Sequence, residues 1–203
     1  MYQKSKISRG IKMIGSLLLF AAALSLTLST SANAQTDYYN LFGHEGIGTR
    51  GGVGTIPPVG DFGTTHCRYI DVPNTAPGDY FLRYPLHLPT GVTVTKVSFF
   101  VADFNPAGVL WFWLRSRPWN SRDAGTVATN GFALSDNSSE NDKTVNMDGL
   151  NVTVDNKTTQ YWIDVSPKNS AEPGQLCVYG IQVTYSYPAR TISYPVALPV
   201  IMK

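Results

Sequence analysis

The chain has 203 residues, with 16 Lys and Arg and 14 Asp and Glu, and its formal net charge is +2 at pH 7. Hydrophobic residues make up 43% of it and aromatic residues 12%, which is enough for one buried core and argues against a disordered chain. Segment 1–34 holds four of the basic residues and no acidic one, so the remainder carries 12 basic and 14 acidic residues, which disfavours a nucleic-acid-binding protein.

The first 34 residues have the organisation of a signal peptide. A basic stretch over residues 4–12 precedes an apolar run over residues 13–28, and the small-residue sequence Ala32-Asn33-Ala34 follows. This order is typical of a cleaved bacterial export signal. An uncleaved membrane anchor is the alternative, but the dense apolar core is short for the ~20 residues that span a bilayer. The sequence therefore predicts a secreted or periplasmic protein with no transmembrane segment after cleavage.

Residues 35–63 are rich in glycine and also contain Pro57-Pro58. Glycine-rich segments favour irregular or flexible backbone, so we expect an N-terminal lead-in here rather than part of the folded domain. Residues 46–51 match the G-x-G-x-x-G pattern of phosphate-binding loops. Because we expect neither a strand before this pattern nor a helix after it, we predict no phosphate site.

Residues 64–187 are predicted to form seven or eight short strands. Helical periodicity is nearly absent, and Gly, Pro, Asn and Asp recur at short intervals. Apolar residues on both faces of the stretch 109–114 predict a strand covered on both sides, with Trp111 and Trp113 in the core. The sequence Asp155-Asn156-Lys157 predicts a turn.

The stretch 80–88 alternates in period two and has one apolar face. Pro85 has no N–H to donate, so this strand is expected to be bent or to lie at a sheet edge. Its second face carries Phe81, Arg83, Pro85 and His87.

Two cysteines, Cys67 and Cys177, lie near the two ends of the strand-rich region. An even count in an exported protein favours a disulfide, and two cysteines allow one intramolecular pairing. The alternation of the last strand puts Cys177 on the same face as Ile181 and Val183, so we expect its side chain to point into the core. Two buried free thiols are the alternative.

Many short strands without helices predict an all-β protein, a single-domain antiparallel β-sandwich over residues 64–187. A jelly-roll arrangement is favoured, because its terminal strands often pair and would bring Cys67 near Cys177. A closed barrel is the alternative. Residues 188–203 form an apolar C-terminal tail whose exposure would be costly, so we expect it to dock on the domain or on a partner.

A resemblance to known proteins covers about half of the chain, residues 86–187. It rests on Leu88-Pro89-Thr90-Gly91 followed by Val94-Thr95-Lys96-Val97, on Val154-Asp155-Asn156, and on Tyr179-Gly180-Ile181. This stretch resembles a group of poorly characterised secreted bacterial β-sandwich proteins, and its fold is similar to that of the jelly-roll domains that follow secreted proteases. The resemblance implies the fold and export; it implies no activity and no site residues.

Two tryptophans are the candidate ligand-binding residues. Trp162 shares the polar face of its strand with Gln160 and Asp164, and Trp119 lies in a loop rich in polar residues. An exposed aromatic ring flanked by hydrogen-bonding groups suits a sugar, because the C–H face of the sugar stacks on the ring while its hydroxyls form hydrogen bonds. Ordinary packing beneath a loop is the alternative for both tryptophans.

Metal sites and catalytic motifs are weakly indicated. The acidic loop over residues 135–142 lacks the spacing of an EF-hand, and His44, His66 and His87 lack zinc-pair spacing. The chain contains neither G-x-S-x-G nor H-E-x-x-H. An enzyme stays open, because two carboxylates can meet in space, but we expect a protein with no catalytic residues, no cofactor and no metal.

These observations predict an exported, non-catalytic binding protein whose ligand is a carbohydrate or another cell-envelope component. The predicted ligand-binding residues are Trp162, Trp119, Gln160 and Asp164. The alternative is a structural or adhesive cell-surface subunit that assembles through the C-terminal tail. The sequence leaves the oligomeric state open.

Overall fold

A computed structural model describes residues 34–50, 59–62, 67–70, 80–135, 140–168 and 175–189. The segment Gln35–Pro188 forms one compact unit. One turn of 3₁₀ helix, Gly43–Glu45, lies between the first two strands. The strands are β1 (Thr36–Phe42), β2 (Ile47–Arg50), β3 (Val59–Phe62), β4 (Cys67–Ile70), β5 (Tyr80–Leu86), β6 (Thr93–Asp103), β7 (Val109–Pro118), β8 (Thr126–Leu134), β9 (Glu140–Met147), β10 (Val152–Thr153), β11 (Thr159–Lys168) and β12 (Leu176–Ser186).

The strands form two antiparallel sheets, so the predicted all-β, jelly-roll-like β-sandwich is confirmed. Sheet A has the order β10-β6-β12-β4-β3, with β1 also paired to β12 and β9 also paired to β6. Sheet B has the order β2-β5-β11-β7-β8. The first strand pairs along its whole length with the last, from Thr36 opposite Ser186 to Phe42 opposite Gly180, in agreement with the jelly-roll expectation that terminal strands pair.

The core lies between the two sheets and follows the period-two alternation of the strands. Phe99 of β6 stacks on Phe112 of β7 with ring centroids 4.1 Å apart, which joins sheet A to sheet B. Burying one such side chain contributes about 1.5–3 kcal/mol to the free energy of unfolding. The largest fully buried side chains are Tyr84, Phe99, Phe112, Leu110, Leu114, Met147, Ile163, Ile181, Val92, Val94, Val97 and Val101.

The prediction of an irregular lead-in over residues 35–63 is wrong for its described part, because β1, β2 and β3 belong to the two sheets. Residues 51–58, with Pro57-Pro58, and residue 63 lie outside the described residues. Glycine in this region makes room for aromatic rings. A Cβ atom at Gly46 would lie 2.6 Å from Cζ of Tyr84, whose hydroxyl donates a hydrogen bond to the carbonyl of Gly43 at 3.0 Å. Gly60 of β3 faces Tyr69 of β4 and is covered by its ring. Glycine in these strands therefore allows close packing of aromatic rings, whereas its abundance in the sequence predicts a flexible backbone.

The Cys67–Cys177 disulfide is confirmed, with Cα atoms 5.5 Å apart on the neighbouring strands β4 and β12. The expected direction of Cys177 is wrong. A bulge between Val178 and Gly180 shifts the alternation of β12, so that Val178 faces the core and Cys177 clusters with Ala102 on the other face of the sheet.

Strand β7 also differs from its prediction. Its core residues are Leu110, Phe112 and Leu114, whereas Trp111 and Trp113 lie on the outer face of sheet B and are partly exposed. These two indoles pack against each other and against Phe132 of β8, with centroid distances of 5.3–5.7 Å. The apolar residues on both faces of β7 are therefore explained by a core face and an aromatic outer face, rather than by a strand that is covered on both sides.

Several predictions fall outside the described residues: the signal peptide apart from Ala34, the C-terminal tail from residue 190 onward, and residues 136–139 of the acidic loop. Among the residues that are described, no helix has the length and apolar character needed to cross a membrane.

Candidate functional site

A cleft of about 440 Å³ opens at one end of sheet B, where β5 and β7 end and β11 begins. The antiparallel register brings these ends together: Gln160 lies opposite Arg117, and Trp162 lies opposite both Pro85 and Arg115. Cavities of 300–1,000 Å³ are typical of small-ligand sites. The cleft is lined by Arg83, Pro85, Leu86, His87, Leu88, Arg117, Trp119, Asn156, Gln160, Tyr161 and Trp162.

Pro85 lines the cleft near the end of β5, beyond the residues of β5 that pair with β2. Strand β2 pairs with β5 from Tyr80 to Arg83, and β11 pairs with β5 on its other side. Of the strands described here, none pairs with Pro85 on the β2 side, so the missing N–H of proline interrupts no ladder there. The predicted edge is thus confined to the last residues of β5, at the cleft.

The rim of the cleft, as we define it, consists of Trp119, Asn156 and Gln160. The Trp119 side chain is 60% exposed. Its indole Nε1 donates a hydrogen bond to the carbonyl of Asn156 at 3.0 Å, and its backbone N–H donates to the carbonyl of Thr158 at 3.0 Å. The ring is therefore fixed in orientation while much of its surface stays accessible.

The turn that holds Trp119 is the predicted one at residues 155–157. The Asp155 carboxylate accepts hydrogen bonds from the hydroxyl of Thr158 at 2.7 Å and from the backbone of Lys157 at 3.0 Å, and these bonds lower the pKa of Asp155. The side-chain amide of Asn156 donates to the carbonyl of Leu88. The turn is thus tied to the loop after β5, which keeps the rim in place.

The base of the cleft consists of Trp162, Arg83, Arg115 and Asp164. Trp162 is only 4% exposed. The guanidinium carbon of Arg83 lies 4.9 Å from the centroid of the Trp162 ring, and that of Arg117 lies 5.5 Å away. The expectation that Trp162 is an exposed platform is therefore wrong: arginine side chains of the two neighbouring strands cover it.

Asp164 is the acidic residue of the base and is 1% exposed. Its carboxylate accepts two hydrogen bonds from Arg83, at 2.8 and 3.0 Å, and lies 3.3 Å from Nε of Arg115. It also accepts a hydrogen bond from the indole of Trp162 at 2.9 Å. Asp164 lies opposite Arg83 in the sheet register, so the pairing follows from strand alignment. The Asp164 side chain is thus committed to internal contacts beneath the cleft.

Gln160 lines the cleft beside Arg117. Its side-chain oxygen accepts a hydrogen bond from an Arg117 Nη atom at 3.5 Å, and the second Nη atom of Arg117 donates to the carbonyl of Asp123 at 3.2 Å. The structure therefore brings Trp119, Trp162 and Gln160 to one cleft and places Asp164 below it. Their ligand-binding role stays a prediction.

Among the lining residues that the sequence analysis did not assign to the site, four have nitrogen-containing side chains: Arg83, His87, Arg117 and Asn156. A partial signal existed for two of them, because Arg83 and His87 share the outer face of one alternating strand. The cross-strand register that joins Arg117 to Gln160, and the turn that carries Asn156, depend on long-range pairing that the alternation does not encode.

The described residues offer no candidate metal site. Across the described residues, no group of three or more His, Cys, Asp and Glu side chains lies close enough to hold a metal ion.

No protein-family model matches the chain, and no curated protein matches it. Among solved structures, a xylan-binding module, CBM15, is similar with a TM-score of 0.50 and 10% identity, over 76% of this chain and 100% of that one. A family two carbohydrate esterase from Cellvibrio japonicus matches with a TM-score of 0.42 and 6% identity, over 77% of this chain and 36% of the esterase. The chain thus spans about a third of the esterase. The likeness to the xylan-binding module shows a shared β-sandwich fold.

Proposed function

We propose that this protein is an exported, non-catalytic glycan-binding module and that the cleft at the end of sheet B is its ligand site. The observation that carries the proposal is Trp119, which is 60% exposed at the edge of a cleft of about 440 Å³, with its indole held by one hydrogen bond and its backbone N–H by another. A rigid aromatic face beside polar groups suits a sugar ring, because stacking and hydroxyl hydrogen bonds act together.

The proposed roles differ from the simple platform expected for Trp162. Trp119 stacks on the C–H face of a sugar, and Gln160 and His87 offer hydrogen-bonding groups to its hydroxyls. Trp162 and Asp164 support the base of the cleft and keep Arg117 and Arg83 in place. The ligand therefore contacts the rim first, and the base acts as a rigid floor.

The fold comparison supports the choice of ligand class to test first. One similar solved structure is a xylan-binding module, and its whole length aligns with this chain. Fold alone does not carry function, so the proposal depends on the cleft and its exposed indole.

The direct experiment is a binding screen of purified protein against soluble and insoluble polysaccharides, with Trp119→Ala and Phe104→Ala beside the wild type. Phe104 is a 39% exposed aromatic residue that follows β6, away from the cleft lining, and serves as the matched control. Loss of Trp119 should weaken binding about thirtyfold, since the main aromatic contact of a binding site is worth about 2 kcal/mol or more, while Phe104→Ala should bind like the wild type. Equal loss in both variants, or no polysaccharide bound at all, would contradict the proposal.

A further inference from the structure

The described strands of sheet B carry more basic than acidic residues. Where side chains are described, its strands carry one acidic residue, Asp164. The basic residues of the same strands are Arg83, Arg115, Arg117 and Lys168. From residue 35 onward the chain as a whole carries 12 basic and 14 acidic residues. The described strands of sheet B therefore carry a positive net charge, although the net charge of the chain from residue 35 onward is slightly negative. Such an asymmetry attracts anionic ligands.

Asp164 neutralises only part of this charge. Its carboxylate is shared between Arg83, at 2.8 Å, and Arg115, at 3.3 Å. One negative charge therefore faces two positive ones at the base of the cleft, which leaves an excess of one positive charge before Arg117 is considered. At a site this poorly exposed, screening by solvent is reduced.

Arg117 has no carboxylate within ion-pair distance among the described residues. Its two Nη atoms donate to neutral oxygens, the carbonyl of Asp123 at 3.2 Å and the side chain of Gln160 at 3.5 Å, and its Nε is buried without a hydrogen-bond partner in the described part of the chain. A guanidinium carries five N–H donors, so several of those on Arg117 remain unused. The position of Arg117 is nevertheless fixed, because the guanidinium lies over the Trp162 ring.

The cleft lining continues the same pattern. It includes Arg83, His87 and Arg117 as groups able to carry positive charge, and none of its described lining residues is Asp or Glu. A neutral sugar leaves the charge of Arg117 uncompensated, whereas a carboxylate compensates it and takes up the unused donors.

We propose, resting on the glycan-binding function above, that the cleft binds an acidic glycan through a uronic acid residue. The sugar carboxylate accepts hydrogen bonds from the guanidinium of Arg117, whose planar fork matches the two carboxylate oxygens. A sugar ring of the same chain stacks on Trp119 at the edge of the cleft. Charge thus selects among glycans, and the exposed indole provides the general affinity for sugar rings.

The test compares charged and neutral forms of one polymer. Purified wild-type protein is titrated with polygalacturonate, with fully methyl-esterified polygalacturonate, with alginate and with neutral xylohexaose, at 50 and 500 mM NaCl. Binding to at least one uronate polymer should be about tenfold tighter than binding to the methyl ester or to xylohexaose, because hydrogen bonds to charged groups are stronger than hydrogen bonds to neutral ones. High salt should weaken uronate binding and leave neutral binding unchanged.

Two variants assign the preference to one residue. Arg117→Gln should lower uronate affinity about tenfold and bring it close to that for the methyl ester. Arg122→Gln removes the same charge from an exposed position outside the cleft lining and should leave uronate affinity unchanged. The ester and salt comparisons need only wild-type protein, so they decide the matter even if Arg117→Gln fails to fold.

The outcomes separate this inference from the function beneath it. If the wild type binds uronate more tightly than its methyl ester, and if Arg117→Gln loses this preference while Arg122→Gln keeps it, the result supports both the acidic-glycan inference and the glycan-binding function. Equal affinity for acid and ester, or binding of neutral glycans only, overturns the acidic-glycan inference and leaves the glycan-binding function standing. Failure to bind any of the four ligands and any polysaccharide of the wider screen overturns both.

Discussion

The base and the rim of the cleft each contain one tryptophan, and the two tryptophans differ in burial. Each has one tryptophan whose indole N–H donates a hydrogen bond: Trp162 to the carboxylate of Asp164, and Trp119 to a backbone carbonyl. Trp162 is 4% exposed and Trp119 is 60% exposed. The same side chain therefore acts as a structural element in one place and as an available surface in the other.

What decides between these roles is the set of neighbouring strands. Trp162 lies on the middle strand of sheet B, so side chains from both adjacent strands reach over it, whereas Trp119 follows the end of β7. A central strand supplies cover from two sides, and a strand end does not. The comparison predicts that substitutions at the base strongly lower the free energy of unfolding, and that substitutions at the rim weaken ligand binding.

The largest expected effect is that of Trp162→Ala. Removing a buried indole leaves a cavity beneath two arginines and should lower the free energy of unfolding by about 4 kcal/mol, as for other large-to-small substitutions. Trp119→Ala should lower it by less than about 1 kcal/mol, as at other exposed positions. Urea unfolding of both variants measures the contrast. Similar losses in the two would remove the distinction between base and rim.

The next effect is that of Asp164→Asn. The substitution keeps the shape of the side chain and leaves Arg83 and Arg115 facing each other without a carboxylate. We expect a loss of about 2–3 kcal/mol, below the value for a fully buried pair because Arg83 is a third exposed. Asp123→Asn, at an exposed loop position, is the control and should be close to neutral. Unfolding midpoints that coincide for the two variants would contradict the assigned role of Asp164.

A smaller effect is expected at Gly125, which has φ +85° and lies against Trp162. A Cβ atom there would be 2.5 Å from Cη2 of the indole. Gly91 has φ +89° and no atom within 4 Å of its virtual Cβ, so Gly91→Ala measures backbone strain alone. Gly125→Ala should be less stable than Gly91→Ala by about 1–2 kcal/mol, because of overpacking against the base. Equal stability of Gly125→Ala and Gly91→Ala would mean that Gly125 is not closely packed against Trp162.

The smallest effect concerns pH and a residue of sheet A, away from base and rim. Burial, followed by the hydrogen bond with Tyr187, raises the pKa of Tyr185 from its ordinary value of 10.0 to about 12. Because the folded state holds this proton more tightly, the stabilisation is fully present below pH 10 and is lost as pH rises towards 12. Urea midpoints at pH 9, 10 and 11 should fall less steeply for Tyr185→Phe than for the wild type. Parallel curves would contradict the shift.

The strand pattern made the fold accessible from sequence, because the alternation in 80–88 identifies the face that packs in the core between the sheets. The disulfide followed from cysteine count and position. The bulge at Val178 was not accessible, since it inserts one residue into the alternation and reverses the side of Cys177. The burial of Trp162 was not accessible either, because it depends on arginines that other strands bring across.

The most direct test of the account observes the four indole N–H groups of the protein together. In ¹H–¹⁵N correlation spectra, each tryptophan gives one indole signal, and the Trp119 signal is identified by its loss in Trp119→Phe. On titration with polygalacturonate or xylohexaose, the account predicts that the Trp119 signal shifts first and that those of Trp111 and Trp113 stay in place. Shifts at Trp111 and Trp113 with a stationary Trp119 signal would contradict the proposed cleft as the ligand site.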